Sequence, residues 1–159
     1  MHPRFLHPTT VVCLDLEKVL IDSWYDVTLC PNNRNLLEEY GVTGGFPVEI
    51  FSFAVDNLRD STFFHKAWKE SLEKCFNIKI VEVMTVHELM DIHERVTGCS
   101  ISMLKYKMRG KTEGFLEYVK YLESLKETQE PVSYILFDDL VDNQDVIFDN
   151  YAVHFIRVG

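Results

Sequence analysis

The chain is predicted to fold as a three-layer α/β sandwich around a mainly parallel, five-stranded sheet. Three observations predict it. Short strand-like runs recur along the sequence (VVCL, IKIVEVM, SYILF), and VVCL is apolar without alternation, as a strand covered on both faces requires. Stretches with apolar residues at helical spacing separate them, which is the rhythm of βαβ units. Two of the apolar runs, near opposite ends of the sequence, stop at carboxylates, where open α/β sheets gather their ligands.

Taken in order, a short lead carrying His2, Pro3, His7 and Pro8 precedes Val11-Val12-Cys13-Leu14, the first predicted strand, which runs directly into Asp15-Leu16-Glu17. A short helix is expected from Pro31 to Gly41, with Asn to cap its start and Gly41 to end it. Residues 48–55 (VEIFSFAV) are rich in β-formers and turn polar at Asp56, so they read as the second strand, with Ser52 near its end. From Ser61 to Phe76, Phe64, Ala67, Trp68, Leu72 and Phe76 share one helical face, predicting a helix packed on the sheet.

Residues 78–84 form the third strand. Thr85-Val86-His87-Glu88 is a capping box that opens a helix closed by Gly98. Residues 99–110 show no assignable pattern. Phe115, Tyr118, Val119, Leu122 and Leu125 predict a helix over 111–126. Residues 133–137 are then a fourth buried strand ending at Asp138-Asp139, and 151–158 a fifth.

A chain of 159 residues has the size of one domain, expected to span 1–159 with its core over 11–158. Sixteen Lys and Arg against 25 Asp and Glu give a net charge of −9 with no basic cluster, so nucleic acid is a disfavoured partner. Cys13, Cys30, Cys75 and Cys99 are scattered without CxxC spacing, as reduced thiols of a cytoplasmic protein would be. No run approaches membrane-spanning length and residues 1–10 lack a signal-peptide core, so no membrane association is expected. His87 and His93, six apart, do not share a helix face and do not suggest zinc.

The chemistry lies in the acidic strand ends. If the strand before Asp15 neighbours the strand before Asp138 and Asp139, their carboxylates converge, and like charges need a cation or a proton between them. A hard divalent ion with oxygen ligands is the natural neutraliser, and Mg²⁺ in turn favours phosphate. Each residue also has a plain reading: Asp as a turn former at a strand end, Ser52 as a half-buried strand serine, Lys111 as a solvated helix-start residue. Their joint occurrence in order argues against it.

The stretch VVCLDLEKVLIDS (Val11 to Ser23) resembles the first motif of the haloacid-dehalogenase-like (HAD) superfamily, an apolar strand followed by Asp-x-Asp-x-Thr/Val. Asp15 takes the nucleophile position, Glu17 the second acid and Val19 the Thr/Val position, while Lys18 falls where the family varies. Ser52 in EIFSFAVD resembles the second motif, Lys111 in GKTEGFLEYVKYL the lysine of the third, and YILFDDLVDNQD the acidic fourth. The likeness runs from Val11 to Val158.

What the resemblance implies is a Rossmann-like, Mg²⁺-dependent phosphohydrolase. Asp15 would form an aspartyl-phosphate, Glu17 would act as acid and base, and Ser52 and Lys111 would bind the phosphate. Mg²⁺ would be held by Asp15, Asp138 and the backbone carbonyl of Glu17, with Asp139 or Asp142 in support. The spacing between Glu17, Ser52 and Lys111 leaves no room for a large cap domain. The resemblance therefore implies an open site, such as relatives use on macromolecular phosphates or close by forming a homo-oligomer, and the acidic surface favours a phosphoprotein or small phosphate ester over a nucleic-acid end.

One position departs from the pattern. Glu17 stands where the family has Asp, and its extra methylene moves the carboxyl by roughly 1 Å, a displacement that can cost on the order of 10²-fold in rate. Either a shifted backbone accommodates Glu17 as the acid/base, or the chain is a catalytically weakened binding or inhibitory protein whose acidic face engages a basic partner.

Overall fold

The computed structural model describes residues 9–159, so the His- and Pro-containing lead lies outside the described residues. Its main sheet contains β1 (Val11–Leu14), β4 (Phe46–Phe51), β5 (Ile78–Met84), β6 (Val132–Asp138), β7 (Gln144–Ile147) and β8 (Tyr151–Arg157), in the spatial order β5-β4-β1-β6-β8-β7. Every neighbouring pair is parallel except β7 with β8. The sheet therefore has six strands, not five. Between β1 and β4 the chain makes a separate antiparallel hairpin, β2 (Ile21–Ser23) with β3 (Asp26–Leu29).

Helices cover both faces, which explains the unbroken apolar runs. Val12 and Leu14 of β1 point to one side, into a core shared with Val48, Ile50, Phe64, Trp68, Leu72 and Phe76. Cys13 points to the other, with Phe51, Leu89, Phe115, Val119 and Leu136. Desolvation in that core pushes the Cys13 thiol well above its ordinary range, so it serves packing rather than chemistry. All four cysteines are unpaired.

The helix expected over Ser61 to Phe76 is two, α2 (Leu58–Ala67) and α3 (Lys69–Phe76), meeting at Trp68. The apolar stripe continues through the break, and Trp68 N donates to Phe64 O and Leu72 N to Trp68 O, so side-chain period alone cannot register it. The earlier start has a plain cause: the Asn57 side chain accepts from Asp60 N at 3.0 Å and caps α2 at Leu58. The helix after Pro31 is a 3₁₀ turn leading into α1 (Arg34–Glu39). The capping box at Thr85 and Glu88 opens α4 (Val86–Thr97), which Gly98 ends at φ 77°.

Residues 99–110 contain one short helix, α5 (Met103–Met108), capped by Ser102 and anchored by buried Tyr106. Its last residues lead to α6 (Lys111–Leu125). The chain builds outward from β1 to β4 and β5 on one side, then crosses to β6 and β8 on the other. The resulting switch point lies at the carboxyl end of β1, where such sheets open a crevice for ligands. Among the described residues no helix is long and apolar enough to cross a membrane.

Candidate active site

Three adjacent parallel strands deliver the candidate residues to one edge. Asp15 follows β1 directly, Ser52 follows β4, and Asp138 closes β6. Asp15 N donates to Phe137 O at 3.0 Å, which extends the β1–β6 pairing by one step and sets the two carboxylates side by side. Oxygens of Asp15, Asp138 and Asp139 all lie within 4.8 Å of one another.

Lys111, the first residue of α6, places its ammonium between them. Nζ lies 3.1 Å from Asp15 Oδ1, 2.9 Å from Asp138 Oδ2 and 3.1 Å from the Phe51 carbonyl. These three contacts match the three donors of an ammonium. The rings of Phe51 and Phe53 flank it at 5.4 and 4.8 Å. Asp15, Asp138 and Lys111 are all buried, Asp138 completely.

Leu16 N donates to Asp15 Oδ1 and Leu140 N to Asp138 Oδ1, each at 2.8 Å, so both carboxylates are fixed by backbone as well as by Lys111. Burial pushes the Asp15 carboxyl up to about 6, against the pull of Lys111 and with added repulsion from Asp138. Asp139 is raised as well, by burial first and by Asp138 second. Three carboxylates face one ammonium, which leaves two negative charges for a divalent cation to offset. Three clustered carboxylates could hold a metal ion, and hard oxygen donors of this kind suit a hard divalent cation.

The Ser52 hydroxyl oxygen accepts from Ala54 N at 3.1 Å, which leaves its own proton to donate. Asp15, Glu17, Ser52, Lys111 and Asp139 line one pocket of about 460 Å³, with Lys18, Phe53, Lys107 and Leu140 around them. Glu17 is turned toward the hairpin: its Oε2 accepts from Trp24 N at 3.0 Å. Asp142 does not join the cluster. Its side chain is 90% exposed and lies 3.7 Å from Arg157. Lys107 had no sequence signal, because it sits on α5 in the unassigned stretch, where it pairs with Asp56 at 2.6 Å.

A second hollow, about 520 Å³, lies over β5 between α4 and α6. Its charged lining is Glu49, Glu82, Glu88, Asp91 and Arg95, a set that repels anions, and it shares no residue with the Asp15 pocket. His93 is occupied elsewhere, with Nδ1 2.8 Å from Glu117 and 2.9 Å from Arg109. No known protein family, curated protein or solved structure matches the chain.

Proposed function

We propose that the chain is a Mg²⁺-dependent phosphohydrolase of the HAD type, without a large cap domain, acting through Asp15. The observation that supports this reading best is the Lys111 ammonium shared by Asp15 and Asp138 at the ends of adjacent parallel strands, on the floor of an open pocket. A structural salt bridge does not call for a second buried carboxylate beside the first, since the surplus charge opposes folding. A site that takes up a cation and a phosphate does.

In this reading an Asp15 oxygen forms the bond to phosphorus as the bond to the leaving oxygen breaks, and Glu17 supplies the proton that the leaving group takes. Water then attacks the aspartyl-phosphate, with Glu17 as base, releasing inorganic phosphate and restoring the carboxylate. Lys111 holds Asp15 in place and offsets phosphate charge, and Ser52 donates to a phosphate oxygen. Mg²⁺, when bound, would be held by Asp15, Asp138 and the Glu17 carbonyl with Asp139 in support, and supplies charge for the clustered oxygens.

Hydrolysis of p-nitrophenyl phosphate tests the reading. Wild type should turn it over with Mg²⁺, lose that turnover in EDTA, and lose it in Asp15→Asn. Metal-independent turnover, or turnover that survives Asp15→Asn, would overturn it.

One observation favours the second reading, a catalytically weakened binding or inhibitory protein: the Glu17 carboxylate is engaged by the hairpin at Trp24 N. Glu17→Asp separates the two. The shorter side chain cannot keep that hydrogen bond and places its carboxyl nearer the main chain. If the site is built around Glu17, the variant hydrolyses p-nitrophenyl phosphate at or below the wild-type rate, as we expect; a rate that rises from background selects the second reading.

A further inference from the structure

Lys18 stands at φ 67°, in the left-handed region that a β-carbon disfavours and glycine adopts freely. Among the described residues only Asn77 shares this without being glycine. Asn77 caps the end of α3, an ordinary place for asparagine. Lys18 has no such reason.

Its backbone is held by the turn itself. Lys18 N donates to Ile21 O at 2.6 Å, Leu20 N and Ile21 N both donate to Leu16 O, and the Asn33 side-chain amide donates to the carbonyls of Lys18 and Val19. Glycine would satisfy every one of these bonds without strain. The turn itself thus gives no reason for a lysine here, and the side chain's ion pair is weak: Nζ meets Asp22 at 2.7 Å, with both side chains about half exposed, a kind of pair that contributes little.

Its position supplies a use. Lys18 lines the Asp15 pocket and also an adjoining hollow of about 360 Å³, shared with Asp139, Arg157, Val158 and Gly159. Lys18 and Asp139 belong to both, so the two hollows adjoin along these residues. The backbone N–H of Arg157 donates to Asn143 Oδ1 at 2.8 Å, while among the described residues its guanidinium makes one long ion pair, 3.7 Å to the exposed Asp142. Two cations, each paired with an exposed carboxylate that an incoming anion can displace, face a space next to the site proposed for phosphate.

We propose that Lys18 and Arg157 form a second anion subsite, so that preferred substrates carry, besides the transferred phosphoryl group, a second phosphate or carboxylate. The proposal rests on the reading of the Asp15 pocket as a phosphoryl site. Strain stored at one backbone position in return for a binding side chain is a recurrent feature of functional loops.

Calorimetry on the full chain with Mg²⁺ tests it, using methylphosphonate and a series of α,ω-alkane bisphosphonates of increasing chain length, none of which hydrolyses. In wild type the best-fitting bisphosphonate should bind roughly tenfold tighter than methylphosphonate, beyond the twofold statistical gain of two equivalent ends. Arg157→Gln should remove most of that advantage and leave methylphosphonate binding unchanged, and Lys18→Gly should weaken the best bisphosphonate by a larger factor than it weakens methylphosphonate. Lys18→Gly should also melt no lower than wild type, because it relieves the left-handed residue. If methylphosphonate binds and no bisphosphonate binds better, or if the advantage survives both substitutions, the subsite is refuted alone. If neither ligand class binds, the phosphoryl reading fails and the subsite with it.

Discussion

Lys111→Met should destabilise the metal-free fold by about 3–5 kcal/mol at pH 8, the usual cost of removing one partner from a buried ion pair. Methionine conserves most of the volume, so packing around Phe51 and Phe53 survives and the loss is electrostatic. Asp15 and Asp138 would then face each other without the ammonium that bonds to both. For a chain of this size each kcal/mol moves the melting temperature by roughly 2–4 °C, so the drop should be on the order of 10 °C. The loss should also depend on pH. Lys111 is the chief influence holding the Asp15 carboxyl down, and without it burial and Asp138 drive that group higher still. A proton taken up by Asp15 then substitutes for the missing charge as pH falls, so the difference between variant and wild type narrows from pH 8 to pH 5. Urea unfolding at the two pH values measures it. A cost below about 1 kcal/mol, or one equal at both pH values, would mean that the cluster is not the electrostatic unit described.

How much of this was legible in the sequence follows from what each element buries. β1 and β6 sit in the middle of the sheet and are covered on both faces, so VVCL and SYILF announce themselves as apolar runs, and the abrupt change to Asp15 and Asp138 marks the sheet edge. β7 (QDVI) is an edge strand with almost nothing buried, so neither its period nor its composition separates it from a loop; its place comes from pairing with β8 and from Asp145 reaching His154 at 2.6 Å. The β2–β3 hairpin, three and four residues long, is too short for a pattern to emerge. The acidic cluster was visible as composition at two strand ends. Lys111 gained its meaning from a resemblance, because a lysine at a helix start carries no signal of its own. Asp139 and Asp142 are alike in type and neighbourhood, yet the turn in which Leu140 N bonds back to Asp138 keeps the first at the pocket and sends the second into solvent. The left-handed backbone at Lys18 is hidden because glycine, the residue that would signal it, is not there.

Asp15→Asn should abolish phosphatase turnover, on the order of 10⁴-fold or more if Asp15 is the nucleophile, and at the same time stabilise the metal-free protein. The Asp15 carboxyl ordinarily titrates at 3.8 and is held at about 6 in the fold, with burial as the largest cause. Because the folded value is raised, the protonated form is the one the fold prefers: the stability this group contributes is fully present below 3.8 and is lost as pH rises through about 6. At pH 8 the ionised carboxylate therefore opposes folding, by up to roughly 2–3 kcal/mol at 1.36 kcal/mol per pH unit of displacement. Asparagine is a permanent stand-in for the neutral form. It leaves Lys111 paired one to one with Asp138 and bonded to Phe51 O, a balanced arrangement instead of an overcharged one. The variant should thus unfold at higher urea than wild type at pH 8 without metal, and at nearly the same urea at pH 4. Saturating Mg²⁺ should reverse the advantage, because a ligand that binds only the folded state stabilises the chain that holds it more tightly, and Asp15 is one of the oxygens expected to hold it. An Asp15→Asn protein less stable than wild type at pH 8 in EDTA would show that Asp15 belongs to the scaffold. A protein more stable and inert would show that its charge is maintained against the fold for the sake of a ligand.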